Sequence, residues 1–250
     1  MTANAFGIAG SQAAGLYECH HDGTSTMIFH AGRAAQNGVE AALLVRSGMT
    51  GPATVLEGSK GFLRATSNAY DPEAAMKDLG ERYEIDGTSF RPYFGCSSTI
   101  AASGATANIL RRTTVNPDDI AQIVVRCHPI VANDNADNDP HTLLAARLRL
   151  PFNIALVLTH GDVLAADLQA QELANPGIRA LLPRIKLVSD PSMLRRACHL
   201  ELRFKDGRRE TEAIDVPRGS ARNPLTWDDV VAKFKPLVRA LDAEHSRAAA

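Results

Sequence analysis

The chain has 250 residues, 45% apolar and 22% charged, an ordinary make-up for a globular protein large enough to bury a real core. A formal net charge of −1 gives no field to draw in nucleic acid or an anionic membrane, and the pairs Arg111-Arg112 and Arg208-Arg209 read as solvated faces. No apolar run reaches the length of a bilayer crossing, MTANAFGIAG lacks the pattern of a signal peptide, and Cys19, Cys96, Cys127 and Cys198 form no CxxC pair, so reduced thiols and a cytoplasmic setting are expected.

Along the chain, the first region reads helical. Phe6 to Glu18 is rich in Ala, Gly and Leu, and Thr26 to Ser47 forms a longer helix ended by Gly48. Small residues from Ala31 to Ala42 suit that helix to close packing between other helices rather than to standing alone. Asp71-Pro72-Glu73 opens another helix, with Asp71 as N-cap and Pro72 at the first position. Residues 88–217 mix strands and helices. Ile123, Val125 and Cys127 alternate with polar or partly polar neighbours, as do Cys198, Leu200, Leu202 and Phe204. Asp206-Gly207 supplies the turn to a return strand over Glu210–Val216, and Ile185–Val188 is a shorter strand. Helices are expected at Ser98–Arg112, Pro151–Thr159, Val163–Leu173 and Asn175–Leu182. Thr226 caps a last helix to about Ala243, with Asp228 and Asp229 in its first turn. The fold class is therefore α+β, divided into a helical portion (1–87), an α+β unit with a small sheet (88–217) and a C-terminal helix (218–250).

Residues 10–66 read GSQAAGLYECHHDGTSTMIFHAGRAAQNGVEAALLVRSGMTGPATVLEGSKGFLRAT. Downstream stand FRPYFGCSSTIAASGATANIL, NPDDIAQIVVRCHPIV, LPFNIALVLTHGDV, NPGIRALLPRIKLVSDP and PRGSARNPLTWDDVVAKF. In this order they resemble the signature elements of the MmgE/PrpD family, among them HAGxAAxxG, GPxxxLEGxxGF and a closing NPLSxxDLxxKF. The resemblance implies a helical domain interrupted by an α+β lid, and cofactor-independent lyase or isomerase chemistry on small polycarboxylic acids. It reads as the C-terminal portion of such a protein. The first helices, with an acidic residue and histidines, would then come from a second chain, or a homo-oligomer would form a rebuilt pocket.

Three positions depart from the family pattern. Met27 stands where Lys is common, Ile100 where the family has His, and Phe152 where it has Tyr. A thioether, an alkyl chain and a phenyl ring neither bind a carboxylate by charge nor move a proton. His30 remains, either as a substrate contact or as a buried imidazole that orders its helix, and Lys60 is the candidate to replace the lost lysine charge; these two are the catalytic candidates. Arg33 lies about one turn from His30 and offers a carboxylate clamp or a surface ion pair. Tyr93, Cys96, Ser97, Ser98 and Thr99 are the remaining substrate-binding candidates, with simple capping by Ser97–Thr99 and burial of Cys96 as the structural alternatives. His20 and His21 before Asp22-Gly23 read as a solvated loop, residues 133–139 as a polar loop without the pattern of a calcium site, and His128-Pro129 as a strand end. No metal is expected. The competing reading is a non-catalytic structural or regulatory protein that keeps the fold.

Overall fold

The computed structural model describes residues 1–161 and 170–248. The chain divides into two compact units, Met1–Tyr83 and Glu84–Ala250.

The first unit is helical. α1 (Thr2–Ser11) packs on α3 (Thr26–Arg46), with Ile8 against Ala41 and Val45. A short α2 (Glu18–Asp22) precedes α3, and α4 (Phe62–Thr66) closes the following loop. The helix expected over Phe6–Glu18 starts earlier and stops at Ser11. The chain turns away at Gly15, whose φ of +123° is open to glycine and strained for other residues. Asp71 accepts from the Glu73 amide (3.0 Å), but Pro72 rather than Asp71 occupies the N-cap position, and the helix is one 3-10 turn, Glu73–Ala75. Exposed Met76 and Leu79 bury nothing that would extend it.

The second unit carries a four-stranded sheet in the order β2-β1-β3-β4. The strands are β1 (Ile120–Cys127), β2 (Ile185–Ser189), β3 (Cys198–Phe204) and β4 (Arg209–Ile214). β1 runs parallel to β2 and antiparallel to β3, with Ile123 opposite Leu202 and Cys127 opposite Cys198. The Asp206-Gly207 turn joins β3 to β4, and the Asp206 carboxylate accepts from the Arg208 amide (3.0 Å). α5 (Ile100–Arg112) lies against β3 and β4 and packs on α8 (Leu150–His160). Period-2 burial puts Ile123, Val125, Leu200, Leu202 and Phe204 beneath these helices in one apolar core. Burial pushes the Cys127 and Cys198 thiols up to about 11 and about 12, which keeps both inert at neutral pH.

Two short helices escape the sequence pattern. α6 (Pro129–Asp134) is capped by His128, whose Nδ1 accepts from the Ile130 amide, and α7 (Leu143–Leu148) by Thr142, whose hydroxyl accepts from Ala145. α6 takes in the start of the expected polar loop. Arg149 donates to Asp137 and Arg179 to Asp139, so these acids are occupied by arginines. Most of the expected Val163–Leu173 helix, residues 162–169, lies outside the described residues; residues 170–174 form a 3-10 segment, followed by α9 (Pro176–Leu181). α10 (Trp227–Ala248) begins at a reciprocal cap: Asp229 N–H donates to the Thr226 hydroxyl and Thr226 N–H to the Asp229 carboxylate. No described helix is long and apolar enough to cross a membrane.

The loop before α5 is tied to the loop before α10 through Gly219. Its amide donates to Asn223, its carbonyl accepts from Phe90 (2.7 Å each), and its φ is +90°. A methyl group there would collide with the Phe90 carbonyl. Gly219→Ala is expected to destabilise the second unit by about 2–3 kcal/mol, read as a lower urea midpoint at unchanged slope.

Candidate functional site

In the first unit, α1, α3 and α4 enclose a cleft of about 630 Å³. His30, Arg33 and Asn37 come from α3, one turn apart along one face, and Phe29 and Phe62 give it apolar walls. The His30 ring packs beside Gly15, where a methyl group would sit 3.4 Å from Nδ1. Asn37 is buried and donates to the Gln12 carbonyl (3.3 Å), while its own Oδ1 accepts nothing among the described residues. Arg33 is exposed. His30 and Arg33 therefore share a cleft. Lys60 does not join them: it lines a neighbouring groove of about 570 Å³ between α1 and the 52–61 loop. Met27 is half-buried on α3.

His20 and His21 fall on α2, not on a loop. The His20 ring stacks on Tyr17 at 4.6 Å, and His21 pairs with Asp22 at 3.4 Å. Glu18, His21 and Asp22 are close enough to share an ion, but all three are exposed, and exposed acidic groups commonly cluster without one.

In the second unit, Tyr93 and Ile100 are buried together with Ala107 and Val157. Phe152 is fully buried in the main core. Ile100 and Phe152 thus serve packing. Residues 96–99 form the turn that enters α5, with both the Thr99 amide and hydroxyl donating to the Cys96 carbonyl. No side chain caps α5: Thr99 occupies the N-cap position with its hydroxyl turned back to Cys96, Ser97 is exposed and Ser98 is half-buried. The anticipated capping by Ser97–Thr99 is therefore absent. Cys96 is half-buried, its amide donates to the Arg147 carbonyl (3.1 Å), and Asn135 approaches its sulfur at 3.8 Å.

Around this turn the fold gathers cations that motif reading overlooked. The Lys233 ammonium on α10 donates to the Arg91 carbonyl, and the Arg91 guanidinium donates to the Gly95 carbonyl (3.3 Å). Arg147 on α7 stands close enough to both for their charges to act on it and on each other. Burial first, then Arg91, holds the Arg147 guanidinium below the usual arginine range, partly offset by Cys96. Burial, Arg91 and Arg147 lower Lys233 in the same way. Among the described residues no carboxylate pairs with any of the three, whereas Arg112, Arg149 and Arg203 each meet an acid. Arg147 and Lys233 are half-buried and Arg91 is exposed, so three like charges gather at one place without an acid among the described residues. Arg91 and Lys233 fall within the quoted motifs and Arg147 outside them, and their convergence depends on the fold.

A family model described as the MmgE/PrpD C-terminal domain matches residues 93–250, and one described as the MmgE/PrpD N-terminal domain matches residues 1–75. The chain belongs to the MmgE/PrpD family. The match at residues 1–75 places part of the N-terminal domain in this chain beside the C-terminal domain, as the helical portion expected over residues 1–87 implies. Curated relatives include cis-aconitate decarboxylase from Mus musculus, 27% identical over 85% of this chain and 45% of its own length. The Homo sapiens cis-aconitate decarboxylase is 26% identical over 85% of this chain and 46% of its own length. A cis-aconitate decarboxylase-like protein, oryM, of Aspergillus oryzae is 26% identical over 97% of this chain and 54% of its own length. The chain spans about half the length of these relatives.

Proposed function

We propose that this MmgE/PrpD chain works in a cofactor-independent lyase or isomerase acting on a small carboxylic acid, and that a second polypeptide completes the site. The observation that carries this reading is the cluster of Arg91, Arg147 and Lys233, which lacks a counter-ion among the described residues. A substrate carboxylate entering it regains in ion pairs what it loses in leaving water. The names of the relatives make cis-aconitate the first acid to test. Elimination or decarboxylation also needs a proton donor and acceptor. At the family's positions this chain offers Met27, Ile100 and Phe152, so the proton-transfer groups are assigned to the second polypeptide, a second copy or a chain resembling the rest of the helical domain.

Titration of the purified chain with cis-aconitate, at constant ionic strength, tests the reading. Saturable binding that disappears on Lys233→Gln is expected. Heat no larger than that of a monocarboxylate such as acetate would sink it. The packing of Ile100 and Phe152 favours a second reading, a non-catalytic subunit that binds an acid without turning it over. Binding without product from the assembled protein would select that alternative.

A further inference from the structure

Residues 150–158 of α8 are all buried, and Asn153 is the polar one among them, 1% exposed. Its Nδ2 donates to the carbonyls of Ala146 (3.1 Å), Arg147 (3.4 Å) and Arg149 (2.7 Å). These carbonyls lie at the C-terminal end of α7, where a helix runs out of partners of its own. A six-residue helix has little stability by itself, so its last turn is set by such bonds. The Arg147 carbonyl also accepts from the Cys96 amide (3.1 Å).

The other end of the same amide meets the turn that follows Arg91. The Asn153 Oδ1 is buried and accepts no hydrogen bond among the described residues, and a methyl group added at Gly95 would lie 2.6 Å from it. Gly95 has φ +125°, and its carbonyl accepts from the Arg91 guanidinium (3.3 Å). Arg91 in turn holds the Lys233 ammonium on its own carbonyl. One buried amide therefore stands between the helix end that carries Arg147 and the turn that carries Arg91 and, through it, Lys233. A leucine would fill nearly the same space without leaving a buried acceptor unpaired.

We propose that Asn153 is the positioning residue of the Arg91–Arg147–Lys233 cluster: its amide fixes the end of α7 against the Gly95 turn and so keeps the Arg147 guanidinium beside the other two cations. The role rests on the reading of that cluster as the acid-binding site, and it is exerted through Arg147 rather than on the ligand. Three like charges drawn together separate unless something holds them. Arg91 and Lys233 are each tied by a side-chain bond to a carbonyl. Among the described residues no hydrogen bond ties the Arg147 guanidinium, so its place is the one its backbone gives it, and Asn153 bonds that backbone.

Titration of the full chain with cis-aconitate tests the proposal in a cycle with Arg147→Met. Asn153→Ala is expected to weaken binding about tenfold, but only about twofold or less once Arg147 is gone. Thr142→Ala is the control. It removes the cap at the other end of α7, where the Thr142 hydroxyl accepts from the Ala145 amide (3.0 Å), and should leave affinity unchanged. The titration of Lys233, followed by NMR with labelled lysine, needs no ligand. In Asn153→Ala it should rise towards the ordinary value of 10.5 as Arg147 moves off, and in Thr142→Ala it should stay low. Circular dichroism checks that each variant is folded. Should Asn153→Ala not fold, Asn153→Ser, which keeps one donor, carries the same comparison with a smaller effect. An equal loss of affinity with and without Arg147, the same loss in Thr142→Ala, or a Lys233 titration unmoved by Asn153→Ala would each overturn the proposal. A wild type that ignores cis-aconitate while Lys233 still rises in Asn153→Ala would sink the functional reading and leave the positioning role standing.

Discussion

Arg147→Met is expected to stabilise the free chain while destroying its response to polycarboxylates. Arg147 and Lys233, half-buried, and the exposed Arg91 repel one another, and the fold holds them together without an acid among the described residues. Deleting the Arg147 charge removes one desolvation cost and two repulsions, worth up to about 1 kcal/mol after solvent screening. In the proposed complex the same guanidinium would donate to the ligand, so its loss is expected to weaken cis-aconitate binding by about 2–3 kcal/mol, or roughly 30- to 150-fold. Paired melting curves with and without cis-aconitate check both signs. A variant that melts lower than wild type and still binds would remove the cluster from the functional account.

The pH dependence follows the same sign. Lys233 is lowered in the folded state, so the folded chain releases its proton at lower pH than the unfolded chain. The penalty is fully present below the folded pKa and is relieved as pH rises towards the ordinary lysine value of 10.5. In that alkaline window Lys233→Met is expected to flatten the stability contributed by this group. A bound polycarboxylate pairs with the ammonium and should reverse the slope.

Phe152→Ala is expected to cost about 3–5 kcal/mol, the largest single effect on stability. The ring is 0% exposed on α8, within the cluster that includes Ile123, Leu200 and Leu202. Removing it leaves a cavity that the packed sheet and helices refill only in part. Phe152→Tyr restores the residue common in the family and is expected to cost about 1–3 kcal/mol, because the added hydroxyl enters an apolar core. Urea denaturation of the second unit, followed by far-UV circular dichroism, measures both. A tyrosine variant as stable as wild type would mean that a polar partner lies within reach of the ring.

The sequence alone was enough for the strands and the long helices. Strict alternation in β1 and β3 can bury only one face, the Asp206-Gly207 pair fits one tight turn, and α10 opens with a cap whose partners are three residues apart. These signals are local. α6 and α7, six residues each, were too short to show a period, and their caps His128 and Thr142 are visible only as hydrogen bonds. The opening helix was misplaced because composition does not reveal the left-handed backbone at Gly15.

For the site, the ordered motifs identified the family. Spacing along α3 also put His30 and Arg33 on one face, since three residues make nearly one turn, and the fold sets that face in a cleft. It could not say that Lys60 lines a different groove, nor that Ile100 and Phe152 are core. Least legible was the charge cluster: Lys233 donates to a carbonyl 142 residues away, and Arg147 comes from a third element. Local pattern determined which segments are helix or strand and which face of each is apolar, because those depend on neighbours within a few residues. Tertiary structure decided which cations meet without an acid among the described residues, because burial and Coulomb interaction depend on distances in space that spacing along the chain does not encode.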